Sequence, residues 1–271
     1  MDETTAPVLD PGRGRTKTGY LWALARDDRP WCGGDPPAVA YFYAAGRGGA
    51  HAEQFLEGWS GLLQVDGYGG YRCLTTTGRK DGKIELAYCW AHARRKLYEV
   101  ARSGGSEIAE EGLRRIAALY AIEAEIRERP AEERQTERQH RSKPLIATFD
   151  HWLEASLSKV SGKSRLGQAL GYIRKHWDGL QLFLTDGRIE IDSNAVERDI
   201  RPIALNRKNA LFAGHDEGGR NWGVIASLIE TAKLDGIDPH VYLSTVLERI
   251  VAGHPQAEID DLLPWNLHRL T

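Results

Sequence analysis

Leu62-Leu63-Gln64-Val65-Asp66-Gly67-Tyr68 is a short apolar run that stops on an aspartate and a glycine. Four residues of that kind, bounded by a turn pair, read as a buried strand. A carboxylate at the end of such a strand sits at the carboxyl edge of a sheet, where open sheets place their ligand sites. Asp-Gly is also a common turn pair, so a plain turn aspartate is the competing reading. Both stay open on these residues alone.

Working outward, the first hundred residues carry strand signals. Tyr20 to Ala25 is one apolar stretch and Ala38 to Ala45 another, separated by Gly33-Gly34-Asp35-Pro36-Pro37. A further strand is expected at Ala6 to Leu9. Ala52 to Trp59 has helical spacing at Phe55, Leu56 and Trp59. Leu86 to Trp90 reads as a strand leading into a helix from His92 to Ala101. The order is three strands, a helix, two strands and a helix.

The middle of the chain is expected to be helical. Leu113, Ile116 and Tyr120 share a face, as do Leu145, Phe149, Trp152 and Leu153, and Leu166, Leu170, Ile173 and Trp177. Arg127 to Lys143 is almost wholly polar and contains Pro130, which reads as a solvated linker or helix turn. Leu180 to Leu184 and Ile189 to Ile191 flank Asp186-Gly187, a hairpin signal. A helix is expected from about Asp192-Ser193-Asn194, ending by Pro202. Trp222 to Lys233 and His240 to Val251 complete the helices. By pattern the chain divides into a strand-rich part over 1–104, a helical part over 105–179, a further part over 180–252 and a tail over 253–271.

Composition narrows the function classes. The 271 residues hold 36 Lys plus Arg against 38 Asp plus Glu, a formal net charge of −2, so the chain is not globally basic. The longest apolar run has eight residues, too short to span a membrane. Three scattered cysteines make no disulfide framework and suit a reducing compartment. With no basic and apolar leader at the start, the chain reads as cytoplasmic. Cys89 and His92 form a lone Cys-x-x-His without a second pair, which falls short of a structural zinc site.

Two more carboxylates join Asp66 as candidates. Glu197 stands three residues after Asn194, an arrangement that also reads as a capping box. Asp2 also reads as a frayed polar end. Together, three carboxylates can hold two divalent cations. Such a pair activates an attacking oxygen and stabilises a leaving one in phosphodiester displacement. The turn from Gly12 to Gly19, with Arg13, Arg15 and Lys17, either grips phosphates or is a solvated hairpin. The stretch from Lys159 to Lys175 holds Lys159, Lys163, Arg165, Arg174 and Lys175 with no acid, and lies along phosphates or forms a solvated helix face. Trp222, beside Arg220 and Asn221, is not clearly a core residue.

Several strings carry a resemblance. They are Pro11 to Gly19, Leu63 to Tyr68, Tyr88 to Lys96, Asp192 to Arg198 followed by Arg201-Pro202-Ile203-Ala204, and Arg207-Lys208-Asn209. In these the chain resembles the catalytic region of insertion sequence 66 transposases of the transposase C type, from about Asp2 to the C-terminus. The resemblance implies an α/β, ribonuclease-H-like mixed sheet with a helical insertion and C-terminal helices. It implies that the part over 105–179 is the helical insertion and that the parts over 1–104 and 180–252 form one core. It implies an Asp-Asp-Glu triad of Asp2, Asp66 and Glu197 that binds two Mg²⁺ or Mn²⁺ ions. It implies DNA as partner, both transposon ends and target, with Arg198, Arg201, Arg207 and Lys208 positioning phosphates. A homo-oligomer on DNA and accessory transposase proteins are also implied. Family members carry a substantial N-terminal region before the first aspartate, whereas Asp2 follows Met1 here. The alternative expectation is therefore an inactive truncated remnant that binds DNA or a partner transposase.

Overall fold

A computed structural model describes residues 1–76 and 79–269. In chain order the elements are β1 (Asp2–Asp10), β2 (Arg15–Arg26), β3 (Ala38–Ala44), α1 (Gly49–Phe55), β4 (Gly61–Val65) and β5 (Ile84–Tyr88). Then come α2 (Trp90–Gly104), α3 (Glu107–Glu125), α4 (Ala131–Glu137), α5 (Lys143–Leu157), α6 (Arg165–Lys175) and α7 (Trp177–Gln181). The last helices are α8 (Asn194–Ala210), α9 (Asp216–Leu234) and α10 (Pro239–Val251). The class is mixed α/β. Contacts divide the chain into a first unit, Met1–Asp28, Gly34–Phe55 and Ala195–Thr271, and a second, Arg29–Gly33 and Leu56–Asn194.

In the first unit β1, β2 and β3 form an antiparallel sheet in that order. Leu21, Ala23, Val39 and Tyr41 supply its buried face, covered by Val196, Ile200 and Ile203 of α8 and Ala226 of α9. Both outer strands have some of their edge backbone groups met, which blunts the tendency of open edges to recruit another chain. Along β3, Val39 N donates to Thr231 Oγ1 at 3.1 Å and Tyr41 N donates to Ser227 Oγ at 2.7 Å, both hydroxyls from α9. Gly223 lets α9 come this close: a Cβ there would stand 2.8 Å from the Tyr41 carbonyl oxygen. Along β1, Leu9 N donates to Ala213 O and Ala213 N to Pro7 O, each at 2.9 Å.

In the second unit β4 and β5 pair in parallel, with Val65 opposite Tyr88. Both strands therefore end on the same edge, β4 just before Asp66 and β5 just before Cys89. Helices α2, α3, α5, α6 and α7 pack around Trp90, Leu97, Ile116, Phe149, Leu170 and Trp177. Trp90 is fully buried and its indole Nε1 donates to Leu180 O at 2.7 Å, so its one polar group is satisfied.

Three sequence expectations need correction. The stretch 127–143 has the expected turn at its start and is mostly exposed, but it is no linker: α4 continues through a π-helical turn, Arg138–Ser142, into α5, and one side of it is buried. Arg134 and Arg138 there are 1% and 0% exposed. Arg138 donates Nε to Glu123 Oε1 at 2.8 Å and Nη2 to Glu123 Oε2 at 2.6 Å, while Nη1 meets Phe183 O at 2.9 Å. The hairpin around Asp186-Gly187 is absent among the described residues. Leu180 lies in α7 and Phe183 and Leu184 in a 3-10 turn, all three in the helical core. A short apolar run cannot distinguish strand from helix by periodicity. Gly187 instead serves close packing, since a Cβ there would meet the Ala131 carbonyl oxygen at 1.7 Å.

The third concerns Pro202, which does not end its helix: α8 runs on to Ala210 with Pro202 inside. Proline removes one helical hydrogen bond at a cost of ~3 kcal/mol or more. Ile203, buried immediately after it, gives the helix a reason to continue. At α1 the helix is shorter than expected and stops at Phe55, with Gly58 at φ +78 beyond it.

Candidate functional site

Asp66 is held by its own unit through two hydrogen bonds. Its Oδ1 accepts from Tyr68 N at 2.8 Å, an Asx turn that fixes the carboxylate after the strand. Its carbonyl accepts from the Tyr172 hydroxyl at 2.6 Å. Gly67 follows with φ +91, and a Cβ there would stand 2.8 Å from Tyr172 Oη and 3.2 Å from His176 Nε2. Only glycine fits both that backbone and that space. Among the described residues no group bonds Asp66 Oδ2. A half-buried carboxylate with one free oxygen, at the edge where two parallel strands end, is suited to ligate a cation.

Tyr172 and His176, one turn apart on and just beyond α6, back this aspartate. His176 is 5% exposed, its ring 4.5 Å from that of Tyr88 and 4.3 Å from that of Tyr172. Its Nδ1 lies 2.8 Å from Tyr172 O, a carbonyl that can only accept, so Nδ1 carries a proton. Burial pulls the imidazole pKa below the ordinary histidine range.

The segment entering α8 is anchored at four points. Gln64 Nε2, two residues before Asp66, donates to Glu190 O at 2.7 Å. Trp90 N donates to Ile191 O at 3.1 Å, and Ser193 N to Cys89 Sγ at 3.2 Å. Asp192 Oδ2 accepts from the Tyr120 hydroxyl at 2.9 Å and from Asn194 Nδ2 at 2.8 Å. Asp192 Oδ1 takes Asn194 N at 3.1 Å, so it meets an N–H at the start of α8. Burial first, and the Asp192 charge second, push the Tyr120 phenol well above its usual range. Burial likewise raises the Cys89 thiol, which stays protonated. Glu197 lies in the first turn of α8, half-buried, between the inward-facing Val196 and the exposed Arg198.

Asp2 is the first residue of β1 and pairs in register with the buried Ala23, so it belongs to a strand and not to a frayed end. Its Oδ1 accepts from Glu3 N at 2.8 Å. Ala23 and Val196 share one buried cluster, which places the strand bearing Asp2 and the helix bearing Glu197 in one packed unit. Asp66 belongs to the other unit.

The candidate DNA cations divide into free and committed groups. Arg15, Arg198, Arg201 and Lys208 are exposed, as are Lys159, Lys163 and Arg165 in the second unit. Arg13 is exposed and lies 3.5 Å from Asp10. Lys17 pairs with Asp216 at 2.8 Å, holding that carboxyl below the usual range with help from the Tyr43 hydroxyl. Arg207 Nη1 bonds Thr4 Oγ1 at 3.3 Å, Thr5 O at 3.2 Å and Thr5 Oγ1. Within the acid-free stretch Arg174 is paired with Asp150 and Glu154 of α5.

Sequence reasoning missed Gln64, Tyr120 and Tyr172. Each acts on a site residue or its helix through contacts 72 to 126 residues away in sequence, and no local pattern marks them.

Comparison with known proteins fits these features. The family described as "Transposase IS66 family" matches residues 1–221, and the IS66 C-terminal element matches 227–265. The chain therefore belongs to the IS66 family of transposases. It is 47% identical over 268 residues to the uncharacterized proteins y4qI and y4jD of Sinorhizobium fredii strain NGR234, covering 98% of this chain. A third uncharacterized protein of that organism, y4hP, is 39% identical over 280 residues. The chain spans about half the length of these relatives, 50% and 52% for the first two. No solved structure matches. No described helix is long and apolar enough to cross a membrane.

Proposed function

We propose that the chain is the catalytic part of a DNA transposase, with a ribonuclease-H-like core and Asp2, Asp66 and Glu197 as its carboxylate triad. Membership of the IS66 family carries the reading. The setting of Asp66, a half-buried carboxylate at a strand end with Oδ2 unbonded, supports its place in the triad. The order of elements fits as well: strands first, then a long helical stretch, then the helix bearing Glu197.

An all-oxygen donor set of this kind suits Mg²⁺ or Mn²⁺. Two such ions would supply charge stabilisation at the attacking and leaving oxygens of phosphodiester displacement. The chain's own residues do the rest. Tyr68 N and Tyr172 fix the Asp66 carboxylate and main chain, so little reorganisation is needed when a substrate binds. The anchored 190–194 segment sets the start of the Glu197 helix. Arg198, Arg201 and Lys208 on α8, with Arg15 at the start of β2, would meet phosphates and position the strand without reading bases. In strand cleavage a water oxygen bonds to phosphorus, the bond to the 3′ oxygen breaks, and that oxygen takes a proton. In strand transfer the freed 3′-hydroxyl attacks a target phosphodiester in the same way.

Nicking of supercoiled plasmid in Mg²⁺ or Mn²⁺ tests the reading. Wild type is expected to nick only with a divalent ion present. Asp66→Asn and Glu197→Gln are expected to lose at least about a hundredfold in rate while still binding DNA. Nicking that survives Asp66→Asn unchanged would overturn the triad.

A further inference from the structure

The first unit contains a cavity that the triad does not use. It has a volume of about 200 Å³ and lies where the end of α8, the connection to α9 and the edge of β1 meet. Phe212 and Trp222 supply aromatic walls, Pro7 and Leu211 further apolar surface, and Asn206 and Arg207 the polar groups. Phe212 is 45% and Leu211 69% exposed, so large apolar side chains stand at the surface here.

The backbone holds them there at a cost. Leu211 has φ +57, a left-handed conformation that costs a non-glycine residue ~1 kcal/mol or more. The next residues are pinned, because Ala213 hydrogen-bonds both Pro7 and Leu9 along β1. Leu211 is the position just past the end of α8, where a left-handed residue commonly closes a helix, and it sets the direction in which Phe212 leaves. Arg207 is oriented beside the cavity by its bonds to Thr4 and Thr5. Lys208 follows it, exposed, at the end of a helix whose side chains carry four cations and two carboxylates from Glu197 to Lys208.

We propose that this cavity takes one unpaired nucleobase of a DNA strand. The volume is below the ~300–1,000 Å³ of pockets for larger ligands, and suits a single flat ring system. Aromatic walls stack on the face of any base, and stacking of this kind tolerates sequence. Asn206 and Arg207 line the cavity and bring polar groups to it, although Arg207 Nη1 is already engaged by Thr4 and Thr5. The positive balance of α8 fits the phosphates on either side, which a purely apolar occupant would leave unused. This inference rests on the reading of DNA as substrate and adds that the DNA is bound with a base out of the stack.

The test compares two duplexes, one fully paired and one with a single unpaired adenine, in equilibrium binding to the full chain. Wild type is expected to bind the second about tenfold more tightly, the scale of one base stacked on an aromatic side chain. Phe212→Ala is expected to bring the ratio to about one, and Phe212→Tyr to restore it. Equal affinity of wild type for both duplexes, or a preference that survives Phe212→Ala, overturns the cavity proposal and leaves the transposase reading standing. Binding to neither duplex overturns both.

Discussion

The two units solve the same problem, satisfying polar groups away from water, with different chemistry. In the first, the groups are backbone amides of strand edges, met by Ser227, Thr231 and Ala213. Its ion pairs keep their cation near the surface: Lys17 and Asp216 are 39% and 37% exposed, and the buried carboxylates of Glu3 and Asp28 pair with the exposed Arg47 and Arg26. In the second, the charges themselves are buried, with Arg138 and Glu123 at 0% and 7% side-chain exposure and Arg134 at 2% beside them. The difference teaches that a polar stretch of sequence does not report its own exposure. Arginine buried with a matched carboxylate and carbonyl acceptors looks, in a hydropathy pattern, the same as arginine in water.

The largest expected effect breaks that buried pair. Arg138→Met leaves Glu123 short of its partner and should cost about 3–5 kcal/mol in urea unfolding, with recovery on adding Glu123→Leu. Lys17→Met in the first unit should cost less than ~1 kcal/mol. Equal costs for the two substitutions would erase the contrast.

Gly67→Ala comes next. It combines a positive φ with a close approach to Tyr172 and is expected to destabilise by about 2 kcal/mol, read as a lower denaturation midpoint. A neutral result would show that the Asp66 turn is looser than described. Tyr120→Phe then removes one donor from Asp192 and should cost about 1–2 kcal/mol. The same change should raise amide exchange at the start of α8, which a purely local packing loss would not do.

The smallest effect is the pH response of the second unit. His176 is held neutral by burial, so its folded pKa lies below its unfolded value of about 6.5. Its contribution to stability is complete above that value and declines as the pH falls through it toward the folded pKa. The difference in stability between wild type and His176→Phe should therefore shrink from pH 7.5 to pH 5. A difference flat with pH would mean that the imidazole does not titrate differently on folding.

Much of this was legible in the chain. The apolar runs around Leu21 and Tyr41, the strand before Asp66 and the amphipathic helices of the second unit announce themselves because each has one face against a core. The order of elements follows from them. The hairpin expected at Asp186-Gly187 and the helix end expected at Pro202 were not, because a local signal lost to burial of Phe183 and Ile203 in tertiary packing. For the site, Asp66 is marked by its position after a strand. Its long-range support is not, since Tyr172 acts across more than a hundred residues, and neither is the bond by which Gln64 anchors the segment before α8.

The central claim is that Asp66 is a metal ligand of a carboxylate site. Calorimetric titration of Mn²⁺ into the wild-type chain and into Asp66→Asn tests it most directly, with circular dichroism to show that both are folded. The account predicts binding by wild type and at least about tenfold weaker binding by the variant. Equal Mn²⁺ affinity in the two folded proteins would contradict it.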